Sequence, residues 1–143
     1  MGSTDVVGDL FPEAQAAVVQ RVQDILAAVE AQDVDRLDSY HLFGPKYSKF
    51  DDGEPAGRQD AATAQQLERE LVASAKTLRF RAEDLKVDVF GPVAVATLIL
   101  DWAATMPDDQ EYAARSRATL VFVDDGSEWK LVHEHFSAFP GAA

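Results

Sequence analysis

The chain has 143 residues, a formal net charge of −12 and no cysteine. Such a charge repels nucleic-acid phosphates and anionic membrane surfaces, and the missing thiols exclude disulfides, thiol catalysis, iron–sulfur clusters and cysteine-ligated zinc. With 47% apolar and 27% charged residues, one globular domain with a real core is expected over residues 12–140, in a reducing, cytoplasmic setting. Residues 1–11 read as a flexible N-terminus without the basic and apolar regions of a signal peptide, and the longest apolar runs are far short of a membrane span.

From Pro12 to about Gln32 the apolar residues Ala14, Val18, Val22, Ile25, Leu26 and Val29 recur at helical spacing, with Pro12 and Glu13 suited to a first turn. Asp33 is placed to cap a second, short helix, "VDRLDSYH". Gly44-Pro45 then breaks the periodicity, "KYSKF" alternates as a short strand would, and "DDGEPAG" reads as a loop. Helical spacing returns from Arg58 to Lys76 behind a possible Asp60 cap, with Ala64, Leu67, Leu71, Val72 and Ala75 as its stripe. After Thr77 four long strands follow, "LRFRAEDLKVDVF", "VAVATLILDWAATM", "YAARSRATLVFV" and "WKLVHEHFSAF", joined by short turns. Links this short imply an antiparallel meander.

The order implies an α+β protein with three helices of the N-terminal half packed on one face of a curved, mostly antiparallel sheet. Val93 to Leu100 and Ala118 to Val123 are apolar on both faces, whereas a strand with one wet face should alternate. Helices can cover only one side, so a second copy of the chain is expected on the other, giving a homodimer through the sheet.

The stretch "ATLVFVDDGSEWKLVHEHFSAFP", with Thr119, Val121, Phe122, the Asp-Gly turn, Trp129, Val132, His133, His135 and Ser137, resembles the final hairpin of the nuclear transport factor 2-like superfamily. The SnoaL-like branch is the closer match, and the association domain of calcium/calmodulin-dependent kinase is also similar. The resemblance implies the cone-shaped fold shared with ketosteroid isomerases, a dimer, and a pocket between helices and sheet. It implies no single reaction, because this superfamily hosts isomerases, cyclases, dehydratases and non-enzymes. Arginines that line the association-domain pocket fall here at Leu120 and Phe136, so an anion-binding pocket of that kind is not expected.

Candidate site residues follow from strand parity. On the last strand Trp129, Leu131, His133, His135 and Ser137 share one face, and Lys130, Val132, Glu134 and Phe136 the other, unless a bulge intervenes. His133 and His135 could chelate a metal with His41 or an aspartate, but hydrogen bonding within the sheet or at a dimer interface is preferred, and no metal or cofactor is expected. If Leu120 and Phe136 line the pocket, Phe122 and Glu134 should too, and burial would raise the Glu134 pKa into a range useful to a general acid or base. The competing reading pairs Glu134 with Arg115 or Arg117. Asp51 and Asp52 border the expected cavity mouth, although "DDG" is more often a solvated loop start. Tyr40, His41, Tyr47 and Trp102 are further pocket candidates, Arg58 is expected on the surface, and Asp101 should pair with Arg115 or Arg117. Catalysis on an unidentified small molecule by Glu134, His133, His135 or Asp51, of isomerase, hydratase or cyclase type, stays open beside a non-catalytic ligand-binding or association role.

Overall fold

The computed structural model describes residues 5–140. Residues 1–4 of the expected flexible terminus lie outside that range. Helix α1 (Pro12–Glu30) opens with Pro12 in its first turn, and α2 (Val34–Ser39) is capped by the Asp33 side chain, which accepts from Arg36 N at 3.2 Å. Strand β1 (Ser48–Phe50) is shorter than the alternating segment suggested, and helix α3 (Ala61–Ser74) starts after Asp60, which accepts from Thr63 N at 2.9 Å. Strands β2 (Thr77–Phe90), β3 (Val93–Thr105), β4 (Glu111–Asp124) and β5 (Trp129–Ala138) form the antiparallel meander. The first helix ends two residues before Gln32, which takes a left-handed φ of 55° and donates from its side chain to the carbonyls of Val72 and Ala75.

The sheet order is β1-β5-β4-β3-β2, with β1 parallel to β5. Two irregularities interrupt the ladders. In β2 the register shifts between Glu83 and Lys86, and Asp84 there has a φ of 51°. In β5, Leu131 pairs with Phe122 while His133 pairs with Val121, so Val132 is an extra residue. Bulges bend a strand and increase its local twist, which curves the sheet around the helices.

The core fills the concave side. Ala94, Ala96, Leu98 and Leu100 on β3 and Ala118, Leu120 and Phe122 on β4 are buried there under Val18, Val22, Ile25 and Val29 of α1. The opposite sheet face carries Val93, Val95, Ile99, Val121 and Val123, which keep partial exposure in the isolated chain.

The bulge overturns one expectation. Strict alternation put Leu131 on the face of His133 and His135, but the extra residue resets the parity, and Leu131 is fully buried on the same side as Glu134. Asp101 is also differently paired. Arg115 stands opposite it in the ladder but reaches diagonally to Glu83, and Arg79 of β2 takes Asp101 at 3.2 Å instead. A central strand has two neighbours, and the partner of Asp101 comes from β2 rather than from β4.

Phe122 is completely buried and sits beside the bulge against Leu131. Phe122→Ala is therefore expected to cost about 3–5 kcal/mol, measured by urea denaturation.

Candidate functional site

The site begins with the period-two placement of "KYSKFD". Tyr47, Lys49 and Asp51 share a face, and the parallel register sets Lys49 beside Glu134. Ser48 and Phe50 face the other way, beside His133 and His135. On the concave side Glu134 is 6% exposed and accepts a hydrogen bond from the Tyr47 hydroxyl.

His41 arrives from the segment after α2. Backbone bonds tie that segment to β5: Leu131 N donates to Tyr40 O at 2.9 Å, and Leu42 N donates to Leu131 O at 2.8 Å. The ring is wholly enclosed, stacks on Phe43 at 4.6 Å, and hydrogen-bonds through Nδ1 to Leu37 O at 2.9 Å. A carbonyl can only accept, so Nδ1 carries a proton. Nε2 then lies between two carboxylates, Glu134 at 3.4 Å and Glu68 at 3.5 Å, without hydrogen-bond geometry to either. A lone pair there would face two anions, so the second nitrogen is protonated as well. Burial works against the charged ring, but Glu134 and Glu68 outweigh it and hold His41 up at about 9.

The carboxylates respond in opposite directions. Burial would raise the Glu134 pKa, but Lys49, His41 and Tyr47 together hold it well below the usual carboxylate range. Glu68 is largely buried, and its Oε2 has no hydrogen-bond donor; burial, reinforced by Glu134, pushes it up to about 7 against the pull of His41 and Lys49. Lys49 is raised despite its burial, because Glu134, Asp51 and Glu68 surround it. Burial and the Glu134 charge push Tyr47 up too, so it serves as a donor only.

This cluster closes one end of a cavity of about 310 Å³. Val22, Ile25 and Val29 from α1 face Leu98, Leu100 and Leu120 of the sheet across it, while Glu68, Glu134 and Lys49 are its inner polar groups. Asp51, Asp52 and Glu54 edge it, and a smaller chamber of about 170 Å³ adjoins it through Lys49, Phe80, Trp102 and Phe136. Asp51 accepts from Gln59 Nε2 at 2.7 Å and stands 3.4 Å from Lys49 Nζ, and Asp52 accepts from Ser116 Oγ at 2.5 Å.

Of the candidates read from sequence, Glu134, Asp51, Trp102, Leu120 and Phe136 line the cavity, with His41 and Tyr47 immediately behind Glu134. Glu134 takes the Tyr47 hydrogen bond and pairs with His41, with the Lys49 charge nearby, rather than pairing with Arg115 or Arg117. Phe122 belongs to the packed core and is not a wall of the cavity. Tyr40 lies outside it, beneath Arg21 at 4.5 Å and accepting from Arg36 Nε at 2.8 Å. His133, bonded to Ser48 Oγ at 2.9 Å, and exposed His135 occupy the opposite sheet face, away from His41. The three histidines therefore do not converge. Arg58 is exposed and lies over the Phe50 ring.

Two of the inner polar residues of the cavity escaped the sequence reading. Lys49 has the parity of Tyr47 and Asp51, so alternation could have found it. Glu68 lies one turn from both Ala64 and Val72, inside the apolar stripe of α3 rather than on its polar face. A carboxylate in such a stripe is the signal that was available.

The model of the SnoaL-like domain matches residues 18–141. The chain belongs to that family. No curated protein matches it. Among solved structures, a nuclear transport factor 2-like superfamily protein from Salmonella enterica is similar over 92% of this chain and 95% of its own, at 16% identity and a TM-score of 0.79. A candidate dehydratase of the nuclear transport factor 2-like family from Streptomyces avermitilis covers 90% of this chain and 99% of its own, at 21% identity and a TM-score of 0.78. The CaMKII hub of S. rosetta covers 87% and 96%, at 23% identity and a TM-score of 0.71. At these identities the likeness is one of fold, and the SnoaL-like family shares it.

Glu68 and Glu134 make opposite contributions to stability. A carboxyl whose folded pKa lies above its unfolded value stabilises fully below the unfolded value, and that contribution is lost as pH rises through the folded one. For Glu68 the window runs from about 4.5 to about 7. Glu134, depressed, contributes above its ordinary range and loses that contribution in acid. The melting temperature of the wild type is expected to fall between about pH 5 and pH 7, and Glu68→Gln should flatten that slope while leaving the acid limb in place, as followed by circular dichroism.

Proposed function

We propose that the cavity binds an apolar small molecule and that Glu68 exchanges a proton with it, in cofactor-independent chemistry of the isomerase or hydratase type. One observation carries this reading: a largely buried carboxylate whose Oε2 lacks a hydrogen-bond donor stands among the wall residues of an apolar cavity of ligand size. Its pKa near 7 suits both taking and returning a proton at neutral pH. Glu134 has a different role in this scheme. Held below the carboxylate range, it is a weak base, and it acts as the counter-ion that keeps His41 and Lys49 charged. The candidate dehydratase from Streptomyces avermitilis, similar in fold, is compatible with this class of chemistry.

The proposal is tested by incubating the protein with a panel of cyclic ketones in deuterated water and following exchange at carbon by mass spectrometry. Exchange should rise as pH passes through about 7 and drop about 10²–10⁴-fold in Glu68→Gln. Exchange that survives this substitution would take the proton transfer away from Glu68, and none with any panel member would leave ligand binding without catalysis as the better reading.

We further propose that the chain forms a homodimer through the open sheet face, in the cytoplasm. The half-buried Val93, Val95, Ile99, Val121 and Val123 support this, because side chains of that kind in a contiguous band gain from being covered. Val95→Lys with Val121→Lys is expected to convert a dimer to a monomer in light scattering at micromolar concentration; a wild type that is already monomeric rules the arrangement out.

A further inference from the structure

We propose that residues 52–58 are a strap across the mouth of the cavity, latched by the hydrogen bond from Ser116 to Asp52, and that a ligand enters and leaves when this bond breaks. Such a gate presupposes that the cavity takes an apolar ligand, as proposed above, but not that Glu68 transfers a proton.

Both ends of the strap are pinned. Lys49 N donates to Gln59 O at 3.1 Å, Gln59 N donates to Lys49 O at 2.9 Å, and the buried Gln59 side chain donates to Asp51 at 2.7 Å. The strap is therefore a loop closed at its base, and it can swing without disturbing β1 or the charged cluster behind it. Between those ends the chain reads "DGEPAGR", exposed throughout except for half-buried Pro55. A Cβ at Gly53 or at Gly57 would meet nothing within 4 Å. The only hydrogen bond from these residues to the rest of the described chain is the one Asp52 accepts from Ser116 Oγ at 2.5 Å. A segment with so little buried apolar contact opens at low cost.

The position of the latch couples that opening to the cavity. Asp52 lines both chambers, Gly53 and Glu54 edge the larger one, and Ser116 lines the smaller. Ser116 is 1% exposed and is the one polar member of the buried row Ser116, Ala118, Leu120 and Phe122 on β4. A buried hydroxyl needs a partner. Asp52 supplies it while the strap is closed, and water entering the smaller chamber supplies it when the strap is open. Closing the strap thus exchanges two hydrogen bonds to water for one charge-assisted bond, a small net gain that suits a latch broken and remade at each passage of a ligand.

The test uses the neutral fluorophore 6-propionyl-2-(dimethylamino)naphthalene, whose emission shifts in apolar surroundings, mixed with the protein in a stopped-flow instrument. Its neutrality keeps the loss of a rim charge from altering the encounter. Ser116→Ala and Asp52→Ala should each raise the association and dissociation rate constants together by about tenfold, leaving the dissociation constant nearly unchanged. The double variant should be no faster than either single one, because both remove the same bond. Unchanged rates in Asp52→Ala, a substitution at an exposed residue, overturn the latch whether or not Ser116→Ala folds. A double variant whose gain is the product of the single gains also overturns it. So does faster dissociation with unchanged association, which would make the pair a ligand contact instead of a gate. All three results leave the Glu68 exchange measurement standing, whereas a wild type that does not bind the fluorophore overturns the cavity reading together with this one.

Discussion

A carboxylate buried inside an apolar cone is the constraint on which the rest of the site depends. An unpaired ionised group in such a place would cost several kcal/mol or would pick up a proton. Glu134 does neither, because Tyr47 donates to it and Lys49 and His41 stand beside it. Each of those partners is then held in turn. His41 is fixed by Leu37 and Phe43, Tyr47 packs edge-on against Phe43, and Lys49 is set by the parallel pairing of β1 on β5. The short strand, the segment after α2 and the end of the sheet are joined through this one buried charge.

The same anion shapes its neighbour. Glu68 comes from α3 rather than from the sheet, and two carboxylates served by one imidazole do not ionise alike. The carboxylate beside Tyr47, His41 and Lys49 stays charged, while the one lacking a hydrogen-bond donor is raised. Environments that separate two carboxyl groups in this way allow one residue type to serve as both counter-ion and proton carrier. The cavity exists because the sheet curves, and the bulges at Asp84–Leu85 and Val132 are where its ladders give way.

Much of the architecture was legible in the sequence. Helical spacing, the Asp33 and Asp60 caps, short turns between long strands and the "DDGSEWKLVHEHF" hairpin pointed to the α+β cone and its family. The polar candidates Glu134, Asp51, Tyr47 and His41 all had visible local reasons to be considered. Lys49 and Glu68 were overlooked because a lysine in a strand and a glutamate in a helix are ordinarily solvated. Their positions within an alternating segment and an apolar stripe were readable, but only as exceptions to that expectation.

The sequence by itself determined the elements, their order and the family, because those follow from local spacing, capping and turn chemistry. Only the tertiary structure decided the parity of the last strand. A single extra residue at Val132 changes which side chains face inward, and no local pattern announces it. The fold likewise decided the charge states, since the pKa of Glu68, Glu134 and His41 depends on distances between groups up to 93 residues apart in the chain, as His41 and Glu134 are. In "HEH" the two histidines and the glutamate look alike in promise. The curved sheet places the glutamate inside the cone and leaves both histidines on its other face.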